Sequence, residues 1–381
     1  MSRVFNQTNT KFNQGVFFNN PVLTGPIIIT SAGVISETFA STGILLDGGA
    51  YTVTVSGLLS ATAIGSYGLY LGYAVPATPN QISTITVGAT GEIYGGLYAI
   101  ASNHAANITN SGALYGINGI YVGAANVAYS IANIGEINAA ANGYAIWTND
   151  EANHSITNSG MIVGHILGNA LLASNETIDN SGTIHGDIRA YDGVDNVTNS
   201  GVINGLVYLD AGNDVLVNAG TINGHINGWT GIDTIQNTGT LNGYILAGAD
   251  NDILSNSGII NGGVDGWTGN DTFTNTGTVN GWIFMGEGND RFIGGISNEN
   301  VADEAGSDNY AFGDGIDNFD AVGAGSSVGS DAVNGGLNTG INIAAGIYGD
   351  EYNASDAQAI VTINLDTVAR LDSVSGISYG A

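Results

Sequence analysis

Asp195, Asp214, Asp233, Asp252, Asp271 and Asp290 stand 19 residues apart. Each closes a Gly-x-Asp triplet, except that Asp250 takes the glycine's place before Asp252. Asp192, Asp210, Asp250 and Glu287 crowd the same segment, and Asp308 and Asp317 follow it. Carboxylates at a fixed interval suit two kinds of chemistry. They hold hard divalent cations together with carbonyl oxygens that glycine-rich turns expose, or they cap turns by accepting backbone N–H groups. If the repeat stacks at a strand-to-strand rise of about 4.8 Å, each neighbouring pair repels by roughly 0.9 kcal/mol even in water. A row of this kind needs an offset at every step. The expectation is bound Ca2+ at these twelve acids, with simple turn capping as the alternative.

The bulk composition agrees with a need for cations. Against 33 acidic residues stand Arg3, Lys11, Arg189, Arg291 and Arg370, for a net charge of -28. Internal ion pairs cannot neutralise that, and the charge disfavours nucleic acid and anionic membrane as partners. With no cysteine, disulfides and thiolate metal sites are excluded. No apolar run approaches the length of a membrane helix, so membrane insertion is not expected. The first 20 residues lack the apolar stretch of a secretory signal. Export, if it occurs, is expected to use an uncleaved C-terminal signal.

The positioning elements follow from the repeat. Asn-x-Gly recurs at Asn180, Asn199, Asn218, Asn237, Asn256 and Asn275, with looser copies at Asn110, Asn133 and Asn158. Three apolar rows share the period: Val197 to Phe292, Ile184 to Val279, and Ile188 to Ile283. Around Asn-x-Gly, apolar and polar residues alternate with period two, which is strand chemistry. Asn-Gly pairs such as Asn223-Gly224 mark turns. Nineteen residues with two short strands and two turns cannot bury a face alone, but stacked coils can. The reading is an all-β, parallel β-solenoid of roughly 13 coils, with the asparagines bonded from coil to coil. The expected divisions are a cap or arm over 1–26, irregular coils over 27–179, regular coils over 180–298, a closing segment over 299–320 and a cap, assembly or signal region over 321–381. Tyr73–Asn80 reads as a surface loop. "GWTG" at Gly228–Gly231 and Gly266–Gly269 alternates with acid-bearing coils, so one corner is expected to be built by neighbouring coils together.

"GND" followed by polar-apolar-polar, as in Gly212–Val217 and Gly288–Ile293, resembles half of the glycine-rich nonapeptide of RTX proteins, the calcium-binding β-roll. "GSDNYAFGDGIDNFD" (Gly306–Asp320) is similar to the segment that closes such arrays. That resemblance, over Asp192–Asp320, implies calcium at the turns and type I secretion. In this chain the glycine–aspartate turn occupies one side of the coil and Asn-Gly the other. The "NSGTI"-type coils resemble β-solenoid adhesins and autotransporter passengers. The lysine-poor, cysteine-free, acidic composition is similar to that of bacterial surface-layer proteins.

Other chemistry is thinner. The five histidines (104, 154, 165, 185 and 225) do not cluster in the repeat. A polysaccharide lyase would need a basic group beside calcium, and Arg189 with Asp187 and Asp192 is the best local candidate. Thr238–Thr240 and Thr276–Thr278 could form an ice-binding face. With no P-loop, nucleophile elbow or HExxH, the chain is expected to be no enzyme. It reads as a secreted structural protein that self-assembles at the bacterial cell surface into a surface layer or filament. A lyase, a monomeric adhesin or an ice-binding solenoid is the alternative. Asn13, Phe17 and Phe18 are expected to dock another copy.

Overall fold

The computed structural model describes residues 3–5, 10–11, 16–19, 26–37, 42–47, 50–72, 82–123, 127–170, 173–302, 305–320, 332–334, 341–344, 351–353, 362–364 and 373–375. The chain is an all-β, parallel β-solenoid of about 13 turns of about 19–20 residues, with no helix among the described residues. It divides into two compact units, 1–205 and 206–381.

One coil of the second unit shows the anatomy. Val215–Asn218, Thr221–Ile222 and Ile226–Thr230 form three strands that enter three different parallel sheets. The expected coil had two strands. The difference lies at Asn223-Gly224: the turn there is a corner, and the third apolar row begins a strand of its own beyond it.

Register is what builds the core. In the first sheet Leu216, Ile235, Leu254, Phe273, Phe292 and Tyr310 pair in succession. In the second, Ile222, Leu241, Ile260 and Val279 do. In the third the succession is Ile226, Ile245, Val264, Ile283, Val301 and Phe319. All are buried. Burying one such side chain contributes roughly 1.5–3 kcal/mol, and each coil supplies one to each of the three sheets.

The first unit repeats this with less regular spacing. Val53, Ile85, Ile108, Ile131, Ile156 and Ile178 line its first sheet. Leu59, Ile93, Leu114, Ile137, Ile162 and Ile184 line its second. Its third sheet is lined by Leu69, Ile100, Ile120, Ile146, Ile166 and Ile188. The Tyr73–Asn80 insertion lies outside the described residues.

The Asn-x-Gly corner is closed by two constraints. Asn237 Nδ2 donates to Asn256 Oδ1 at 2.8 Å, and Asn256 Nδ2 to Asn275 Oδ1 at 2.8 Å. In the first unit Asn133, Asn158 and Asn180 continue the same pattern at 2.7–2.8 Å. These amides are fully buried, so each would be an unsatisfied group without its neighbour. The glycine is required by proximity: a Cβ on Gly239 would lie 2.1 Å from the Gly220 carbonyl oxygen.

Strands at the chain ends join the same ladders. In the first unit Arg3–Phe5 pairs in parallel with Ile27–Ile29, and Val16–Asn19 with Thr42–Asp47. In the second unit Asn309–Ala311, Ala332–Asn334, Glu351–Asn353 and Ser373–Ser375 pair in sequence. Asn13 lies outside the described residues, as do the side chains of Phe17 and Phe18.

Candidate functional site

The aspartate row opens the strands of the first sheet. Asp271, Phe273 and Asn275 alternate with Thr272 and Thr274, so period two puts all three on one face. That face is the interior. Asp195, Asp214, Asp233, Asp252, Asp271 and Asp290 are each at most 3% exposed, and so are Asp308 and Asp317. The expected acidic edge therefore separates into two populations. Asp192, Asp250 and Glu287 are exposed, Asp210 is half-buried, and the 19-residue row faces inward.

Inward carboxylates of this row cap the coil before their own. The N–H of Asp214 donates to Asp233 Oδ1 at 2.9 Å, that of Asp233 to Asp252 at 2.7 Å, that of Asp252 to Asp271 at 2.7 Å and that of Asp271 to Asp290 at 2.7 Å. Asp308 takes the N–H of Asp290, and Asp317 that of Glu299. In the first unit Asp195 takes the N–H of Glu176. The neighbouring asparagine works in the opposite direction: Asn270 Oδ1 accepts the N–H of Asn289 at 2.7 Å. The Asn270-Asp271 pair thus ties its coil to both neighbours.

The second carboxylate oxygen is the chemically open one. Oδ2 of Asp233, Asp252, Asp271 and Asp290 is buried and makes no hydrogen bond. In Asp233 it points at Gly228, where a Cβ would approach to 2.3 Å, and in Asp271 at Gly266, where it would approach to 2.7 Å. Those glycines belong to an inward row with the buried Ala247 and Met285. Burial pushes the Asp233 carboxyl up to about 8, Asp252 to about 7, Asp271 to about 6 and Asp290 to about 8. The accepted N–H bonds work against the rise and the neighbouring acids add to it. At an effective dielectric constant of 20, two charges about 4.8 Å apart repel by about 3.5 kcal/mol. A charge-assisted hydrogen bond returns about 1.5–3 kcal/mol. The bonds alone do not hold a fully ionised ladder, so protons or cations must neutralise part of it.

Within the first unit, the register positions that lead up to Asp195 carry other chemistry. Glu176 pairs with the position of Asp195, His154 with Glu176 and Tyr129 with His154. These side chains are buried. Glu176 Oε1 accepts from Ser174 Oγ at 2.7 Å, and burial raises its pKa. The His154 ring stacks on Tyr129 at 3.9 Å, with Nε2 2.7 Å from Asp150 Oδ1. Sequence reading missed this cluster because the spacing there is irregular. Glu176 was within reach, standing 19 residues before Asp195.

At the other end, Glu299 finishes the asparagine ladder. Its Oε1 accepts Asn275 Nδ2 at 2.9 Å and the Ser297 hydroxyl, and burial lifts its pKa to about 8. Of the residues weighed for a lyase, Arg189 lies over the Tyr191 ring, 5.6 Å from its centroid, and Asp187 Oδ2 lies 3.3 Å from His165 Nδ1.

Calcium takes six to eight oxygens. The open Oδ2 atoms fit a neutralising ion in chemistry. In number they do not make a closed cage, and among the described residues no three His, Asp or Glu side chains converge on one point. Among those residues no helix is long and apolar enough to cross a membrane. Compared with protein families, curated proteins and solved structures, the chain matches none.

Proposed function

We propose that this chain is a structural repeat protein, exported to the bacterial cell surface, that assembles with copies of itself into a layer or filament. The observation that carries the reading is the coil-to-coil ladder. Asn237, Asn256 and Asn275, and Asp233, Asp252 and Asp271, make hydrogen bonds of 2.7–2.8 Å from one coil to the next. A fold that grows by adding coils ends in unpaired strand edges, which a second copy can extend.

Calcium belongs to the reading as the ion that would share the open oxygens of successive coils, such as Asp233 and Asp252. Those buried, unbonded oxygens support it. In a low-calcium cytoplasm the uncompensated row disfavours folding, which suits passage through a channel as an unfolded chain. The resemblance to RTX repeats supports the same order of events, and an extracellular location follows from it.

Purified protein should be followed by light scattering and negative-stain microscopy while calcium is added and then chelated. Sheets or fibres should form with calcium. A protein that stays monomeric at every calcium concentration and pH would overturn the assembly reading and favour a monomeric adhesin.

A further inference from the structure

A second feature of the second unit is independent of the aspartate ladder. Trp229, Gly248 and Trp267 occupy one register position in three successive coils. Both tryptophans are 60% exposed. Both also have left-handed backbone, with φ of 80° at Trp229 and 75° at Trp267, while Gly248 and Gly286 fill the intervening coils at 117° and 97°. A bulky residue at positive φ is a true outlier, and glycine would be the favoured residue at all four positions. Asp210, at the same register position one coil before Trp229, is left-handed too, at 67°, so the corner imposes this conformation and the tryptophans bear its strain.

The tryptophans form the walls of a slot of about 270 Å³, and Gly248, Leu246, Ala249, Asn227 and Thr230 complete it. Acidic residues flank it. Asp265 pairs in register with Leu246 and accepts the N–H of Trp267 at 3.1 Å. Asp250 follows Ala249 in the chain, and Glu287 bridges to Thr268 beside Trp267. No Lys or Arg lines the slot.

The geometry points to a binding site for a small quaternary ammonium cation of the choline type. Two coil rises separate the tryptophan positions by about 10 Å. A cation midway lies about 5 Å from each, within the roughly 6 Å reach of a cation–π contact. Apolar walls suit the methyl groups, and the flanking carboxylates and net charge of -28 suit the positive centre. The same carboxylates disfavour a zwitterion with its own carboxylate. The alternation of tryptophan with glycine gives the two-coil corner its purpose, since a tryptophan in every coil would fill the gap.

The test is titration of the full chain with choline chloride at low salt, read by tryptophan fluorescence and calorimetry. Parallel titrations use 3,3-dimethyl-1-butanol, the neutral isostere, and a neutral β-linked gluco-oligosaccharide. Choline should bind, and the isostere should bind about tenfold more weakly. Trp267→Leu should weaken choline by about tenfold or more. Asp250→Asn, which tolerates the left-handed backbone, should weaken it severalfold. Trp282→Leu, outside the slot, should leave binding unchanged. Should Trp267→Leu fail to fold by circular dichroism, Trp229→Phe replaces it and should weaken choline in the same sense. Equal binding of isostere and choline, binding of the oligosaccharide alone, no binding of choline, or choline binding indifferent to the slot variants would each overturn the assignment.

Discussion

Asp271 accepts the backbone N–H of Asp252 at 2.7 Å, so the carboxylate of one coil caps the turn of the coil before it. The same bond links Asp252 to Asp233. This makes the ladder a device for satisfying buried turn amides, and it separates the acceptor role of the carboxylate from its charge. Asp252→Asn keeps an acceptor oxygen and removes the charge. At pH 8 without calcium it should be as stable as the parent chain or more so. Asp252→Ala leaves the Asp233 N–H without its acceptor and should destabilise by about 1–3 kcal/mol. Urea denaturation of the pair checks this; a larger loss for Asn than for Ala would refute the capping role.

The pH dependence has a definite sign. The folded pKa values of about 6 to 8 for Asp233, Asp252, Asp271 and Asp290 lie above the ordinary aspartate value of 3.8. Between these limits the folded state binds more protons than the unfolded state, so stability falls as pH rises. Without divalent cations, the melting temperature should be highest near pH 4 and decline through pH 6–8. Calcium competes with protons for the same oxygens, so its stabilisation should be small at pH 4 and grow towards pH 8. Melting curves with chelator and with calcium across that range measure both effects.

The two asparagine ladders differ in burial and should differ in consequence. Asn237 accepts from Asn218 at 2.7 Å and donates to Asn256 at 2.8 Å inside the fold. Replacing it with alanine strands both partners and should destabilise by at least about 2 kcal/mol. Asn242 bonds Asn223 and Asn261 on the exposed side. Its alanine variant should stay within about 0.5 kcal/mol of the parent. Chemical denaturation of the two variants side by side decides the matter.

Trp229 offers a test of stored strain. Glycine at that left-handed position removes a penalty of roughly 1–2 kcal/mol, against which stands the greater freedom of glycine in the unfolded chain. Trp229→Gly should therefore melt no lower than the parent while losing choline binding. A marked fall in melting temperature would show that the exposed indole serves stability instead.

Much of the fold can be read from the chain because a solenoid turns sequence period into spatial register. Asn-x-Gly at intervals of 19 residues, together with Leu216, Ile222 and Ile226 and their repeats, specifies inward rows and an amide ladder. The number of strands per coil was harder to read. Two-residue strands such as Thr221–Ile222 carry too short an alternation to show as separate elements.

Placement of the acids was legible in part. Alternation already puts Asp271 on the same face as Phe273 and Asn275, but a charged row reads as solvent-facing until its hydrogen-bond partners are known. Those partners are backbone amides of other coils, and no local pattern names them. Tertiary structure alone decided that one carboxylate oxygen is bonded and the other left open, and that Glu176 and His154 extend the row. It alone showed that Trp229 and Trp267 line one slot on either side of Gly248. Sequence period determines which residues share a row. Which way each side chain turns at a corner depends on the backbone angle there and on what the adjacent coils supply, and both exist only once the coils are stacked.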